Sequence, residues 1–66
     1  MTNNLRKIRR AADIIQSDLA KKVGCSRQSI HYIESGKFIP SVKLALKIAK
    51  YFNMKLEKIF NLNDEV

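Results

Sequence analysis

The stretch 16–36, QSDLAKKVGCSRQSIHYIESG, has the pattern of two short helices joined by a tight turn. At about 100° per residue, the apolar residues of each half fall on one helical face. These residues are Leu19, Ala20 and Val23 in the first half and Ile30 and Ile33 in the second. Because both faces need an apolar partner, the two helices are expected to pack against each other.

The turn between the two predicted helices is placed at Gly24, since glycine adopts a positive φ without strain. Ser26 then offers a side-chain oxygen that can cap the second helix. Ala20 is small enough to let the two helices cross closely. Counted from Gln16, alanine is the fifth residue, glycine the ninth, and branched apolar residues are the fifteenth and eighteenth. This is the spacing of a helix-turn-helix, a motif that binds DNA.

The second helix of the motif is predicted to turn a polar face outward, away from its two isoleucines. The face carries Arg27, Gln28, His31 and Tyr32, with Ser29 beside them. A forked cation, an amide, an imidazole and a phenol can match base edges and phosphates in a major groove. An ordinary solvated helix face can have the same composition. The geometry of the turn and the charge of the chain favour the interpretation as a nucleic-acid contact.

The length, the net charge and the few metal-binding residues of the chain exclude several classes of protein. The chain has 66 residues and a formal net charge of +7, which favours an anionic partner such as nucleic acid or an acidic membrane surface. No apolar run approaches the roughly 20 residues of a membrane span, and the N-terminus lacks the apolar core of a signal peptide, so a cytoplasmic protein is expected. The single cysteine, Cys25, and the single histidine are too few for a disulfide or a metal site, and no cofactor is expected.

The motif residues, together with the later segments PSVKLALKIAKYF and LEKIF, resemble the phage-repressor and Cro type of helix-turn-helix, the xenobiotic-response-element family. The resemblance covers 5–60 and is strongest to compact, cytolysin-repressor-like members. It implies an all-α, five-helix, lambda-repressor-like DNA-binding domain over residues 1–66, with the motif at about 16–36. Compact members also suggest a short β-ribbon between the two ends of the chain, for which a frayed tail is the alternative.

The family resemblance also implies a function. Its members bind double-stranded DNA sequence-specifically as homodimers on inverted-repeat operators, usually as repressors, with the second motif helix in the major groove. The chain departs from the family at Ile15 and Lys55, where a capping residue is common. Each loss should weaken one helix end by about 1 kcal/mol and leaves the outward face unchanged.

Contacts are assigned on this basis. The expected base-contacting residues are Arg27, Gln28, His31 and Tyr32, and the expected phosphate-contacting residues are Gln16, Ser26, Ser29, Lys37 and Lys43. The remaining lysines of the motif and of the fourth helix, including Lys47 and Lys50, are expected to be solvated.

A structural ion pair is expected beside these contacts. The family pairs an arginine at the position of Arg9 with the glutamate near the end of the recognition helix, here Glu34. The helical wheel independently places Glu34 at the edge of the core face. A partly buried, bidentate pair between the two residues would fix the recognition helix against the first helix.

The last helix is predicted to be short, and its apolar residues exceed what a turn and a half of helix can hide. The surplus is therefore predicted to form a homodimer interface. Its expected members are Leu56, Ile59, Phe60 and Leu62.

Two other functions use the same features. One is an antitoxin or adaptor that binds a protein through this fold, and the other is a basic module that binds RNA or acidic surfaces without sequence choice. An enzyme is not expected, because the sequence shows no nucleophile and base in a common site and no glycine-rich phosphate loop. A small-molecule ligand is not expected either, because no second domain is predicted.

Overall fold

The computed structural model describes the backbone of residues 2–61 and the side chains of residues 3–60. Within that part, the chain forms five helices and a two-stranded antiparallel ribbon, which confirms the predicted all-α, five-helix fold. The elements are β1 (Thr2–Asn3), α1 (Leu5–Ala11), α2 (Gln16–Val23), α3 (Arg27–Glu34), α4 (Val42–Phe52), α5 (Leu56–Ile59) and β2 (Phe60–Asn61).

The turn and cap chemistry places these elements as the sequence predicts. Gly24 ends α2 in the left-handed conformation, with φ 79°. The Ser26 hydroxyl caps α3 by accepting a hydrogen bond from the backbone N–H of Ser29 at 3.0 Å. Ile15 and Lys55 precede α2 and α5 without a side-chain capping bond, as expected from their side chains. Gly24 and Ser26 therefore determine where α2 ends and how α3 follows it.

The ribbon joins the two ends of the domain. Thr2 lies opposite Asn61, and Asn3 lies opposite Phe60. The Asn3 side-chain amide also donates to the backbone carbonyl of Ile33 at 2.8 Å, near the end of α3. The two alternatives were a β-ribbon and a frayed tail, and the structure shows the ribbon as far as Asn61. The bond from Asn3 to Ile33 also ties the ribbon to α3.

The core lies between α2, α3 and α4 and is closed by α1 and α5. Its apolar side chains come from every helix and from β2. The buried members are Leu5, Leu19, Ala20, Val23, Ile30, Ile33, Ala45, Ile48, Ala49, Ile59 and Phe60.

The prediction that Ile59 and Phe60 lie on an exposed dimer surface is wrong. Their exposed fractions are 0% and 2%, and Leu56 is half-buried against the core. The prediction considers only the one and a half turns of α5 and leaves out the ribbon. The ribbon also helps to bury these side chains. β2 pairs with β1, and the backbone N–H of Asn4 donates a hydrogen bond to the carbonyl of Ile59 at 2.7 Å. The fourth predicted member, Leu62, lies outside the described residues.

One buried carboxylate holds α3 against α1 and α2. Glu34 has no exposed side-chain surface, and its Oε2 accepts a hydrogen bond from the Nε of Arg9 at 2.6 Å. The Nη2 of Arg9 donates to Oε1 at 3.2 Å, so the predicted pair is bidentate. The Nε2 of Gln16 and the Nε of Arg6 also donate to Oε1, at 3.1 and 3.4 Å. Three donors from two helices thus meet on one residue of the third.

These contacts control the acidity of Glu34. Burial of the carboxylate acts to raise its pKa, but the hydrogen bonds from Arg9, Gln16 and Arg6 and the positive charge of Arg9 outweigh that effect. The pKa of Glu34 is therefore held below its ordinary value. Because the folded pKa is the lower one, the ionised carboxylate stabilises the fold above the unfolded pKa, and this contribution is lost as the pH falls through the folded pKa.

We expect Glu34→Gln to lower the free energy of unfolding at neutral pH by about 3–5 kcal/mol, because the buried guanidinium of Arg9 loses its counter-charge. The wild-type chain should lose stability as the pH falls from about 4.3, the pKa of an unfolded glutamate, through the lower folded pKa. The variant should show a flatter pH dependence in this window. Urea unfolding followed by circular dichroism between about pH 7 and pH 3 measures both effects. Glu57→Gln, at an exposed carboxylate of α5, is the control; equal behaviour of the two variants would contradict the buried-pair account.

The burial of Ile59 in the core can be tested by mutation. Ile59→Ala should lower the free energy of unfolding by about 2–5 kcal/mol, because it leaves a cavity in the core. Lys58→Ala, at the exposed neighbouring position of the same helix, should change it by about 0.5 kcal/mol or less. Denaturant unfolding measures both. A stable Ile59→Ala variant that loses only self-association would restore Ile59 to an interface.

Candidate nucleic-acid interface

The outer face of α3 carries the predicted base-contacting residues. Arg27, Gln28, His31 and Tyr32 are all exposed, while the isoleucines of the same helix are buried. The Nε2 of Gln28 donates a hydrogen bond to the Tyr32 hydroxyl at 2.8 Å, one helical turn further on. This bond orients the amide and leaves its carbonyl oxygen and its second N–H able to bind another group. The face therefore presents directed donors and acceptors.

The N-terminal end of α3 carries two hydroxyl groups from the predicted phosphate contacts. The Oγ atoms of Ser26 and Ser29 lie 2.9 Å apart and share a hydrogen bond. Ser26 is exposed and Ser29 is half-buried. Their mutual bond uses one hydroxyl hydrogen, so the other can donate to an anion beside the positive end of the helix dipole.

Gln16 is placed differently from the simplest expectation. Its side chain is half-buried and donates to Glu34, so one of its amide hydrogens is already used inside the protein. The backbone N–H groups in the first turn of α2 have no side-chain cap, because Ile15 supplies none. A phosphate at this end would meet those N–H groups together with the second amide hydrogen of Gln16. The sequence placed Gln16 at the correct helix end without predicting its bond to Glu34.

The two lysines predicted to contact phosphates both follow α3 in the chain, Lys37 in the loop after it and Lys43 at the start of α4. Both Lys37 and Lys43 are exposed. The backbone N–H of Lys37 donates to the carbonyl of Tyr32 at 3.0 Å and closes the turn after α3. Lys43 lines a cleft with Ser41, Leu44 and the motif-turn residues Gly24 and Cys25. The start of α4 is therefore next to the turn that leads into α3.

Lys47 shares that cleft, which the sequence interpretation missed. Its ammonium nitrogen lies 3.9 Å from the position that a Cβ would occupy on Gly24. The signal was present in the sequence, since Lys47 follows Lys43 by four residues and lies on the same edge of α4.

An exposed apolar patch was also missed. Ile39, Val42 and Leu46 expose 67%, 74% and 52% of their surface and follow one another at spacings of three and four residues. We call these three residues the apolar patch. It begins in the loop after α3 and continues along α4, beside rather than within the face that packs on the core. Neighbouring exposed apolar residues of this kind indicate a partner.

Other chemistry in the described part of the chain is limited. Cys25 is half-buried, and burial raises the pKa of its thiol, which disfavours the reactive thiolate. The side chains of residues 3–60 include no group of three that could hold a metal ion. None of the helices described there is long and apolar enough to cross a membrane.

Comparison with known proteins agrees with this geometry. The helix-turn-helix family model matches residues 5–59. An uncharacterized HTH-type transcriptional regulator of Methanocaldococcus jannaschii is 52% identical over 65 residues, which cover 98% of each chain. One from Archaeoglobus fulgidus is 43% identical, over 98% of this chain and 93% of its own. Another, from Bacillus subtilis, is 42% identical over 98% of each chain. With this match across nearly all of its length, the chain belongs to the Cro/C1-type helix-turn-helix family of DNA-binding transcriptional regulators.

Proposed function

We propose that the chain is a sequence-specific DNA-binding transcriptional repressor that binds an inverted-repeat operator as a homodimer, with α3 in the major groove. The observation that carries the proposal is the exposed polar face of α3 on a helix fixed by the buried Glu34 carboxylate. A rigid helix that presents directed polar groups loses little conformational freedom when it binds.

The side chains of α3 suit direct reading of base pairs. The guanidinium of Arg27 can donate two hydrogen bonds to O6 and N7 of a guanine. Gln28 can accept from N6 and donate to N7 of an adenine while its other N–H stays on the Tyr32 hydroxyl. His31 and Tyr32 lie beside these two residues and complete the base-contacting face.

The proposed phosphate contacts surround this face. Ser26 and Ser29 lie at the start of α3, Lys37 follows its end, and Lys43 lies in the first turn of α4. Gln16 contributes through the start of α2. These groups would position α3 on the duplex without reading its sequence.

A homodimer follows from the size of the recognition element. α3 has eight residues and is therefore about 12 Å long, so one copy contacts only a few base pairs. Two copies in successive major grooves must lie about 34 Å apart. A single domain measures 33 × 22 × 20 Å, so two domains that share one face can reach that spacing.

The apolar patch is the best surface for this dimer, in place of the buried Ile59 and Phe60. Ile39 is five residues beyond the end of α3, so a two-fold axis near it would place one recognition helix on each side of the axis. Leu56, which is half-buried, remains a proposed member of the interface, as does Leu62. Repression needs only occupancy of the operator, which these surfaces provide.

The apolar patch also supports a second candidate. The same residues could hold a different protein, in which case the chain would act as an antitoxin or adaptor. Self-association distinguishes the two, since a patch that serves a different partner leaves the purified chain monomeric.

Base reading is tested by selecting bound duplexes from a random pool. We expect an inverted repeat with half-site centres about 10 base pairs apart. Arg27→Ala should remove about 1–3 kcal/mol of discrimination at one base pair of each half-site, and Gln28→Ala should do so at another. Lys55→Ala, at an exposed residue before α5, is the control and should leave the selected sequence unchanged. If both α3 variants lost affinity equally for operator and random DNA, direct reading would be wrong.

The dimer is tested with Leu46→Lys, which adds positive charge and so does not weaken attraction to DNA. A lysine at this half-exposed position should leave the fold intact but put an unpaired charge in the interface. We expect the variant to sediment as a monomer and to lose far more affinity for the operator than for random DNA. Leu46→Met, which conserves volume, should remain a dimer. A Leu46→Lys variant that stays dimeric with full operator affinity would place the interface elsewhere.

A further inference from the structure

A groove rich in lysine runs between the end of α2 and the outer side of α4. It consists of two adjoining clefts that share Val23, Gly24 and Lys47. We call the two together the lysine groove. Its lysines are Lys21, Lys22, Lys43, Lys47 and Lys50.

The charge of the lysine groove is not neutralised within the described residues. No carboxylate lines either cleft. The ion pairs found in residues 3–60 both join Glu34 to arginines of α1, so none of the five lysines has a carboxylate partner there. Five like charges on one surface repel one another and attract a polyanion.

Helix-dipole compensation accounts for only part of this arrangement. Gly24 ends α2, so the ammonium of Lys47 beside it faces the negative end of the α2 dipole. Lys21 and Lys22 lie in the last turn of the same helix and already serve that end. Lys50 lies in the last turn of α4 and serves the negative end of that helix, whereas Lys43 lies in the first turn and gains nothing from the same dipole.

The position of the lysine groove identifies its partner. It starts at the motif turn, two residues before Ser26, which caps the recognition helix. Lys43, already assigned to a phosphate, lies inside it, and Lys47 is one helical turn further along the same edge of α4. We propose that Lys47 is a further phosphate-binding residue and that the lysine groove holds the DNA backbone beyond the Lys43 contact. This inference rests on the proposed DNA-binding function.

The test uses the full chain and two duplexes of equal length, one selected from the random pool and one of random sequence. Dissociation constants are measured from about 50 to 200 mM salt for the wild type and for Lys47→Gln, Lys43→Gln and Lys55→Gln. We expect Lys47→Gln to reduce the slope of log affinity against log salt by about 0.9 per subunit, and so by about 1.8 for a dimer. Its affinity should fall by the same factor for both duplexes. Lys43→Gln should show the same reduction in slope and in affinity. Lys55→Gln, outside the lysine groove, should have the slope and the affinity of the wild type.

A phosphate scan then locates the contact. Single backbone phosphates of the selected duplex are replaced by uncharged methylphosphonates. One position should weaken binding of the wild type and have no effect on Lys47→Gln, and it should lie next to the position found in the same way for Lys43→Gln. Such a pair of positions supports the proposed path of the backbone.

Two results overturn the inference. One is a salt slope for Lys47→Gln equal to that of the wild type, together with lower thermal stability, which would limit Lys47 to compensating the α2 dipole. The other is an unchanged slope with unchanged stability, which would make Lys47 a solvated residue. Failure of the proposed function looks different: the wild type would select no duplex from the pool. A reduced slope of Lys47→Gln on random DNA would support the phosphate contact even then.

Discussion

The orientation of the recognition helix depends on the buried carboxylate of Glu34. A carboxylate without exposed surface is costly unless its charge is neutralised and its oxygens are hydrogen-bonded. Both conditions are met only when Arg9 of α1 and Gln16 of α2 lie where the structure places them. Small displacements of α3 would therefore break charge-assisted bonds as well as apolar contacts. Since the cost of burial offsets much of the attraction, the network contributes more to geometry than to stability.

Local sequence patterns predict the parts of the fold that local chemistry determines. Gly24, Ser26 and the apolar spacing on both sides of them define the motif without reference to the rest of the chain. The predicted exposure of Ile59 and Phe60 is wrong because their burial depends on residues far away in sequence. Asn3 pairs with Phe60 across the ribbon, and no periodicity within 56–60 encodes that partner. The bond from Gln16 to Glu34 was missed for the same reason.

Helix α4 shows how one sequence serves three surfaces. At about 100° per residue, Ala45, Ile48 and Ala49 face the core, and Val42 and Leu46 fall on the adjacent edge. The lysines follow on the next edge. When the residues of α4 are divided only into an apolar inner face and a polar outer face, the core residues are assigned correctly. This division does not explain why Val42 and Leu46 are exposed, and it treats Lys47 as solvated. A finer division by angle separates a proposed dimer surface from a proposed DNA surface.

The closeness of these two surfaces links self-association to DNA binding in the proposed dimer. Each chain carries a net charge of +7, so two free chains repel as their apolar patches meet. In the proposed complex, the phosphates of an operator would neutralise the lysines that lie one helical edge away from Val42 and Leu46, and this would lower that repulsion. Linkage requires the effect to be reciprocal: if DNA strengthens the dimer, the dimer binds DNA more tightly by the same factor. A small interface would then be sufficient for the proposed dimer, because the bound duplex would supply part of the force that holds the two copies together.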